Sequence, residues 1–305
     1  YGTMRENVLN VTAVMADGSV IRTARRARKS SAGDDLTKLM VGSEGTLGII
    51  TELTVRLYGI PEKIVAAVCP FPTLDGAVNS VIQAIQLGLG LARSELIDEI
   101  LVEAMNKHAG LGLTVSPMLF LEFHGTDAAV AEQIERFKEI ALEEGATDFQ
   151  WAEREEDRRK LWKARHEGYW AVKSLYPGRE SIATDVCVPI SRLTECILET
   201  QEDIKALGLT AAIIGHVGDG NFHTQPVVDV NNPGEMELVE KFLKKLAERA
   251  VRMDGTCTGE HGIGQGKRNY LIAEHGPALA PMRALKAALD PQNIFNPGKI
   301  LPETA

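Results

Sequence analysis

Two histidines, His216 and His223, frame the stretch GHVGDGNFH, with two glycines, an aspartate and an asparagine between them. A helix would bring positions seven apart onto one face, but the glycines and the Asp-Gly pair disfavour a helix. A hairpin turning on Asp219-Gly220 pairs Gly218 with Asn221, Val217 with Phe222 and His216 with His223. Residues 216, 218, 221 and 223 then share one face. Paired Cβ atoms would lie ~5 Å apart, a chelating distance for two imidazole nitrogens. A second glycine-rich stretch, CTGEHGIGQGKR at 257–268, carries Glu260 and His261, so three of the seven histidines fall in these two segments. Two neutral histidines and one carboxylate form a typical open site for a divalent metal, here zinc or manganese, with His216, His223 and Glu260 as ligands. An imidazole ordinarily titrates near neutral pH, so His261, beside a ligand, suits an acid or base. Asn221 shares the metal-facing side and could orient a substrate oxygen, whereas Asp219 reads as a turn residue. The plainer alternative is a tight hairpin and a tight turn without a ligand. Histidines and acidic residues recurring in both segments favour the functional reading.

Two further stretches could bind a ligand. In RRKLWKARHEGYW (158–170), Trp162, Arg165 and Tyr169 share a helix face by i+3 and i+4 spacing. An arginine between two aromatics suits a planar carboxylate, because its guanidinium offers two parallel donors. A solvated charged face is the competing reading and suffices for Arg158, Arg159 and Lys160; for Arg165 the residues alone leave both open. VGSEGTLGII (41–50) supplies small residues and backbone N–H groups for close approach of a flat or phosphorylated ligand. It is neither a P-loop nor GxGxxG.

Elements must hold these residues in place. Residues 8–15, the turn Asp17-Gly18 and SVIRTA read as a hairpin, and the text up to Leu57 ends in an alternating strand. After Pro61 the pattern predicts a strand at 64–69, a helix at 73–87 and a helix capped by Ser94 with Ile97, Leu101 and Met105 on one face. A strand at 118–124, a helix at 128–144 stopped by Gly145, a charged helix at 153–173 and a strand at 181–188 follow. Then come a helix at 191–207, the strand TAAII leading into the histidine hairpin, and a helix at 234–253 striped by Leu238, Phe242, Leu246 and Ala250. A helix near 278–289 precedes DPQNIFNPGKIL. This order predicts an α+β domain with a sheet covered on one face.

The 305 residues suffice for two domains, and 44% hydrophobic with 25% charged residues is ordinary globular composition. A net charge of −9 argues against nucleic acid or anionic membrane as partners. Four scattered cysteines without a CxxC pair fit a reducing compartment, read here as cytoplasmic, with peripheral attachment at the inner membrane as the alternative. The sequon at Asn10 is read as chance. No apolar run approaches the ~20 residues of a membrane span. The opening YGTMRENVL reads as text from inside a domain.

Together, YGTMRENVL, VGSEGTLGIITELTVRL, LWKARHEGYW, ATDVCVPISRL, GHVGDGNFH, GTCTGEHGIGQGKR and LDPQNIFNPGKIL resemble the FAD-linked oxidases of the vanillyl-alcohol oxidase type. The likeness is to the branch with cytochrome-linked D-lactate dehydrogenase, glycolate oxidase and D-2-hydroxyglutarate dehydrogenase. ATDVCVPISRL and GTCTGEHGIG look most like the D-lactate members. The resemblance implies an α+β fold: the C-terminal part of a PCMH-type FAD-binding domain at 1–58, a cap domain at 60–270 with an antiparallel sheet covered by helices, and a tail at 271–305 returning to the FAD domain. It implies FAD lined by Tyr1, Gly2, Gly42, Ser43, Glu44, Thr46, Gly48, Ile49 and Asn296. It further implies Arg165 on the substrate carboxylate, the divalent metal on His216, His223 and Glu260, and His261 as base. The implied reaction is oxidation of a D-2-hydroxy acid, D-lactate first, with a cytochrome or quinone as electron acceptor and a homodimer as one expected assembly. The glycine-rich segment that holds the FAD diphosphate in this family is not in the sequence, so FAD is expected to bind weakly or not at all. Ala183 stands where the hydroxyglutarate members have a lysine, which argues against a second substrate carboxylate. A flavin-independent 2-His-1-carboxylate metalloenzyme and a catalytically silent metal-binding cap are the competing readings.

Overall fold

The structure, a computed structural model, describes residues 2–27 and 29–303. Tyr1, expected at the flavin, lies outside the described residues. The chain divides into two compact units, Tyr1–Ile60 with Glu260–Ala305, and Pro61–Gly259. The second unit thus ends at Gly259 rather than at the expected 270, and EHGIG, from Glu260 on, counts with the first.

The first unit begins with α1 (Met4–Asn7), β1 (Val8–Val14), β2 (Val20–Arg22), α2 (Leu36–Met40) and β3 (Ile49–Val55). Its antiparallel sheet has the order β2-β1-β3. The expected hairpin forms because Asp17 Oδ1 accepts from Ser19 N at 2.9 Å and Gly18 takes φ 81, a left-handed value favouring glycine. Val8, Val11, Ala13, Met40 and Leu47 form its core.

The second unit continues with β4 (Lys63–Pro70), α3 (Leu74–Gln86), β5 (Leu91–Ile97), α4 (Glu99–Ala109), β6 (Met118–Gly125) and α5 (Asp127–Glu143). β7 (Gln150–Ala152), α6 (Glu155–His166), α7 (Gly168–Leu175), β8 (Glu180–Ser181), β9 (Val186–Cys187) and α8 (Leu193–Ala206) come next. β10 (Ala211–His216), β11 (Asn221–Val228) and α9 (Pro233–Arg252) complete it. The first unit resumes with α10 (Tyr270–His275) and α11 (Leu279–Leu289).

The second unit's sheet runs β7-β4-β6-β5-β10-β11-β8, with β9 also on β11, and its ladders are antiparallel. Both faces are covered, which corrects the one-face expectation. Alternate strand residues point to opposite faces. Val65, Ala67, Leu119, Leu121 and Phe123 pack under α3, α5, α8 and α9, whereas Val68, Met118 and Phe120 pack under α4, α6 and α7. That double burial is why β6 opens on the continuous apolar run Met118–Leu121.

Local corrections have local causes. Ser94 is not a cap but lies in β5; α4 starts one turn later, where Asp98 accepts from Leu101 N at 2.9 Å. The charged helix breaks at Glu167 into α6 and α7, and the strand at 181–188 survives only as β8 and β9. On α9 the inward stripe starts at Val239, fully buried, rather than Leu238, 38% exposed.

Candidate functional site

β10 and β11 carry the histidine hairpin, but the turn is longer than a two-residue Asp-Gly turn. A 3-10 turn spans Val217–Asp219, and Gly220 closes it at φ 78. Pairing is therefore His216 with Asn221, Gly215 with Phe222 and Ile214 with His223, rather than His216 with His223. The pairing shifts by two residues, an even number, so every side chain keeps its face. Gly218 must stay small, since a Cβ there would stand 2.6 Å from Ser94 Oγ.

His216, Asn221 and His223 share the sheet face under α4, α6 and α7, with the imidazole centroids 5.6 Å apart and their planes at 83°. Each Nδ1 is committed. His223 Nδ1 lies 2.9 Å from the Thr184 carbonyl, which can only accept, so Nδ1 carries the proton and Nε2 the lone pair. His216 Nδ1 lies 2.7 Å from Glu95 Oε1. Burial alone would push the Glu95 carboxyl up, but the His216 hydrogen bond and the Arg165 charge outweigh it and hold the group below the usual carboxylate range. Glu95 is thus an acceptor, and His216 takes the same tautomer. Two imidazoles oriented in this way suit a divalent metal, because ligand histidines typically donate their other ring nitrogen to a carboxylate or a carbonyl.

Arg165, near the end of α6, donates from Nη2 to Glu95 Oε2 at 2.7 Å, and its buried Nε has no partner among the described residues. It is not sandwiched by aromatics as its spacing predicted. The break at Glu167 carries Tyr169 onto α7, where its hydroxyl donates to the Ser181 carbonyl at 2.9 Å. Arg93, not Arg165, stacks on Trp162, 4.8 Å from the ring centroid. Asn221 is buried; its Nδ2 donates to Asp185 Oδ1 and the Val186 carbonyl, both at 2.8 Å, while Oδ1 is an acceptor without a donor among the described residues. Asp219 sits in the turn as expected. Gly259 packs against Asn221 so closely that a Cβ would overlap its amide, and Glu260 is the next residue along the chain. In the first unit, Glu260 Oε1 and His261 Nε2 are 3.5 Å apart and both side chains are about half exposed.

Sequence reasoning missed three residues of this face. Glu95 holds both His216 and Arg165, Asp185 holds Asn221 and Thr258, and Gln225 lies buried two positions beyond His223 with Oε1 unpartnered. A charged residue at the inward position of a strand was the available signal for Glu95, hidden because 94 onward read as a helix.

The first unit gathers most of the expected flavin-lining residues. Gly42, Ser43, Thr46 and Asn296 line a cleft of about 650 Å³ that also presents Arg5 and Lys38, cations suited to a phosphorylated ligand. Ser43, Gly48, Ile49 and Asn296 line a second cleft of about 450 Å³. Gly2 lies beside Glu6 and borders neither cleft. Glu44 turns the other way: its carboxylate accepts from Ile263 N at 2.7 Å and Gly264 N at 2.8 Å, with its own backbone at φ 50. Glu44 thus clamps the loop that begins with Glu260 and His261.

The model of the FAD linked oxidases, C-terminal domain, matches residues 60–300. The chain belongs to that family. Among curated relatives, it is 53% identical over 305 residues to the probable mitochondrial D-lactate dehydrogenase of Danio rerio, covering 99% of this chain and 61% of the relative. It is 46% identical to the mitochondrial D-lactate dehydrogenase [cytochrome] of Arabidopsis thaliana, covering 99% and 53%. It is 35% identical to glycolate oxidase subunit GlcD of Bacillus subtilis, covering 100% and 65%. The chain therefore spans less than two thirds of the length of these relatives. Among solved structures, 4-ethylphenol oxidase from Gulosibacter chungangensis matches with TM-score 0.75 at 18% identity, covering 96% of this chain and 66% of that one. Substrate-bound p-cresol methylhydroxylase matches with TM-score 0.73 at 16% identity, covering 96% and 65%. At these identities the likeness is one of fold, and it agrees with the α+β, PCMH-type expectation. The cytoplasmic expectation is overturned: the family relatives from Danio rerio, Arabidopsis thaliana, Kluyveromyces lactis and Saccharomyces cerevisiae are named mitochondrial. Charge and cysteine count cannot separate two reducing compartments. Among the described residues, no helix is long and apolar enough to cross a membrane.

Proposed function

We propose that this chain is the substrate-side part of a flavin-dependent dehydrogenase that oxidises a D-2-hydroxy acid, D-lactate first, to the 2-oxo acid. The carrying observation is the pair of imidazoles with fixed tautomers, His216 on Glu95 and His223 on the Thr184 carbonyl, in a chain 53% identical to a D-lactate dehydrogenase. The donor set fits a divalent zinc or manganese on His216, His223 and Glu260, which supplies the Lewis acidity that eases loss of the hydroxyl proton. The two clefts of the first unit fit FAD along Gly42, Ser43, Thr46, Gly48, Ile49 and Asn296, and FAD when bound supplies the two-electron acceptor.

The chain's own residues divide the remaining work. Arg165, its Nε still unpartnered, receives the substrate carboxylate. Asn221 Oδ1, without a donor among the described residues, accepts from the hydroxyl in the bound substrate and orients it before that proton passes to His261. His261 takes the hydroxyl proton as the C–O bond becomes C=O and the α-hydrogen leaves with its electron pair. The electron acceptor is a cytochrome, as the bracketed names of the relatives indicate, with a quinone as the alternative.

The visible spectrum of the full-length protein tests this. D-lactate, but not L-lactate, is expected to bleach a flavin band, and a chelator to prevent the bleaching. A protein without flavin absorbance would leave the metal hairpin to another reaction.

A further inference from the structure

The Glu95 carboxylate gives one oxygen to each of two groups with different tasks. Oε1 lies 2.7 Å from His216 Nδ1, and Oε2 lies 2.7 Å from Arg165 Nη2. Glu95 is on β5, His216 on β10 and Arg165 on α6, so a single side chain joins three elements. The arrangement is enclosed, with side-chain exposures of 11% for Glu95 and 15% for Arg165. Exposed ion pairs contribute little, but one shielded from water keeps its geometry and its strength.

We propose that Glu95 is a positioning residue that couples carboxylate recognition to metal binding, which rests on the reading of Arg165 and His216 given above. Toward His216 it fixes the tautomer, keeping the lone pair on Nε2 and making it a better donor to a metal. Toward Arg165 it occupies one corner of the guanidinium fork and sets the plane in which the remaining N–H groups meet a substrate carboxylate. Each task uses its own oxygen of one planar group, so orienting the carboxylate for one partner orients it for the other.

Two variants separate the tasks. Glu95→Gln keeps a carbonyl oxygen for His216 Nδ1–H but turns an amide N–H₂ toward the Arg165 donors. Glu95→Ala removes both acceptors. Titration calorimetry with Zn²⁺ or Mn²⁺ alone on the full-length protein, together with KM and kcat for D-lactate, reads the two arms. In Glu95→Ala the metal affinity is expected to fall about 10- to 100-fold, the usual loss for a ligand histidine's outer partner, with KM also raised. In Glu95→Gln the metal affinity is expected to stay within about threefold while KM rises about tenfold or more, since the Arg165 Nη2 donor then faces an amide donor instead of a carboxylate oxygen. A structural role alone would lower thermal stability in both variants and move the two readouts together, and that outcome overturns the coupling. So does wild-type metal affinity in both variants. A wild-type protein that binds neither ion fails differently: it removes the metal reading itself, and the coupling with it.

Discussion

At the scale of single residues, Glu44 shows how one side chain can be reassigned by its hydrogen bonds. The family resemblance implied a flavin contact for it, and its carboxylate receives two backbone N–H groups from the loop that opens with Glu260 and His261. Its left-handed backbone, at φ 50, is a conformation a non-glycine residue keeps only where its surroundings over-determine it. Asn296 adds to that constraint by donating from Nδ2 to the Glu44 carbonyl at 2.5 Å. Glu44→Ala would leave two amide donors without an acceptor, at a cost of about 2 kcal/mol. We expect a lower melting temperature and a kcat reduced about tenfold, the latter following if His261 is the base and its loop is displaced by a fraction of an ångström. Flavin content should be unchanged. A variant that purifies without flavin would restore Glu44 to the flavin contacts instead.

At the scale of elements, two helices on the covered face opposite the histidines are clamped by charge. Arg249 of α9, with 6% of its side chain exposed, donates from Nε to Glu199 at 2.8 Å, from Nη1 to Thr200 at 2.9 Å, and pairs with Asp203, all on α8. Arg249→Met removes one partner of a buried pair, and a loss of about 3 kcal/mol in urea unfolding is expected. Burial would raise the Asp203 carboxyl, but the hydrogen bonds from Lys245 and Arg249 prevail and hold it below the usual carboxylate range. A depressed folded pKa contributes stability above the unfolded value of about 4 and loses it as pH falls through the folded value. Wild-type protein should therefore lose more stability than Asp203→Asn between about pH 5 and pH 3, and parallel curves would refute the assignment. The helices themselves were legible from 3.6-residue periodicity, and the hairpin's shared face from period-2 alternation, because both signals are local. The contact between Glu95 and His216 was not, since it depends on β5 pairing with β10 across 121 residues of chain. The Arg165 environment failed for a related reason: helical spacing was extended through Glu167, where the chain breaks and hands Tyr169 to a different neighbour.

At the scale of the whole molecule, the second unit carries its own antiparallel sheet and an apolar core on each side of it. A sheet buried on both faces satisfies its backbone groups internally and needs no further layer. Residues 61–259 should therefore fold alone with one cooperative thermal transition. That piece retains His216, His223 and the partners that fix their tautomers, Glu95 and the Thr184 carbonyl, but ends one residue before Glu260. If Glu260 is the third ligand, the isolated piece should bind Zn²⁺ at least about tenfold more weakly than the full-length protein, by the loss of one charged donor from a three-residue set. Glu260→Gln in the full-length protein should reproduce that deficit without altering the melting temperature of the metal-free form. Equal affinity in the piece, the variant and the whole protein would locate the metal entirely within the second unit, with the buried Asp185 as the carboxylate to test next. The division of the chain at Gly259 thus turns a boundary into an assay, because the two histidines and the carboxylate proposed to complete their site fall on opposite sides of one peptide bond.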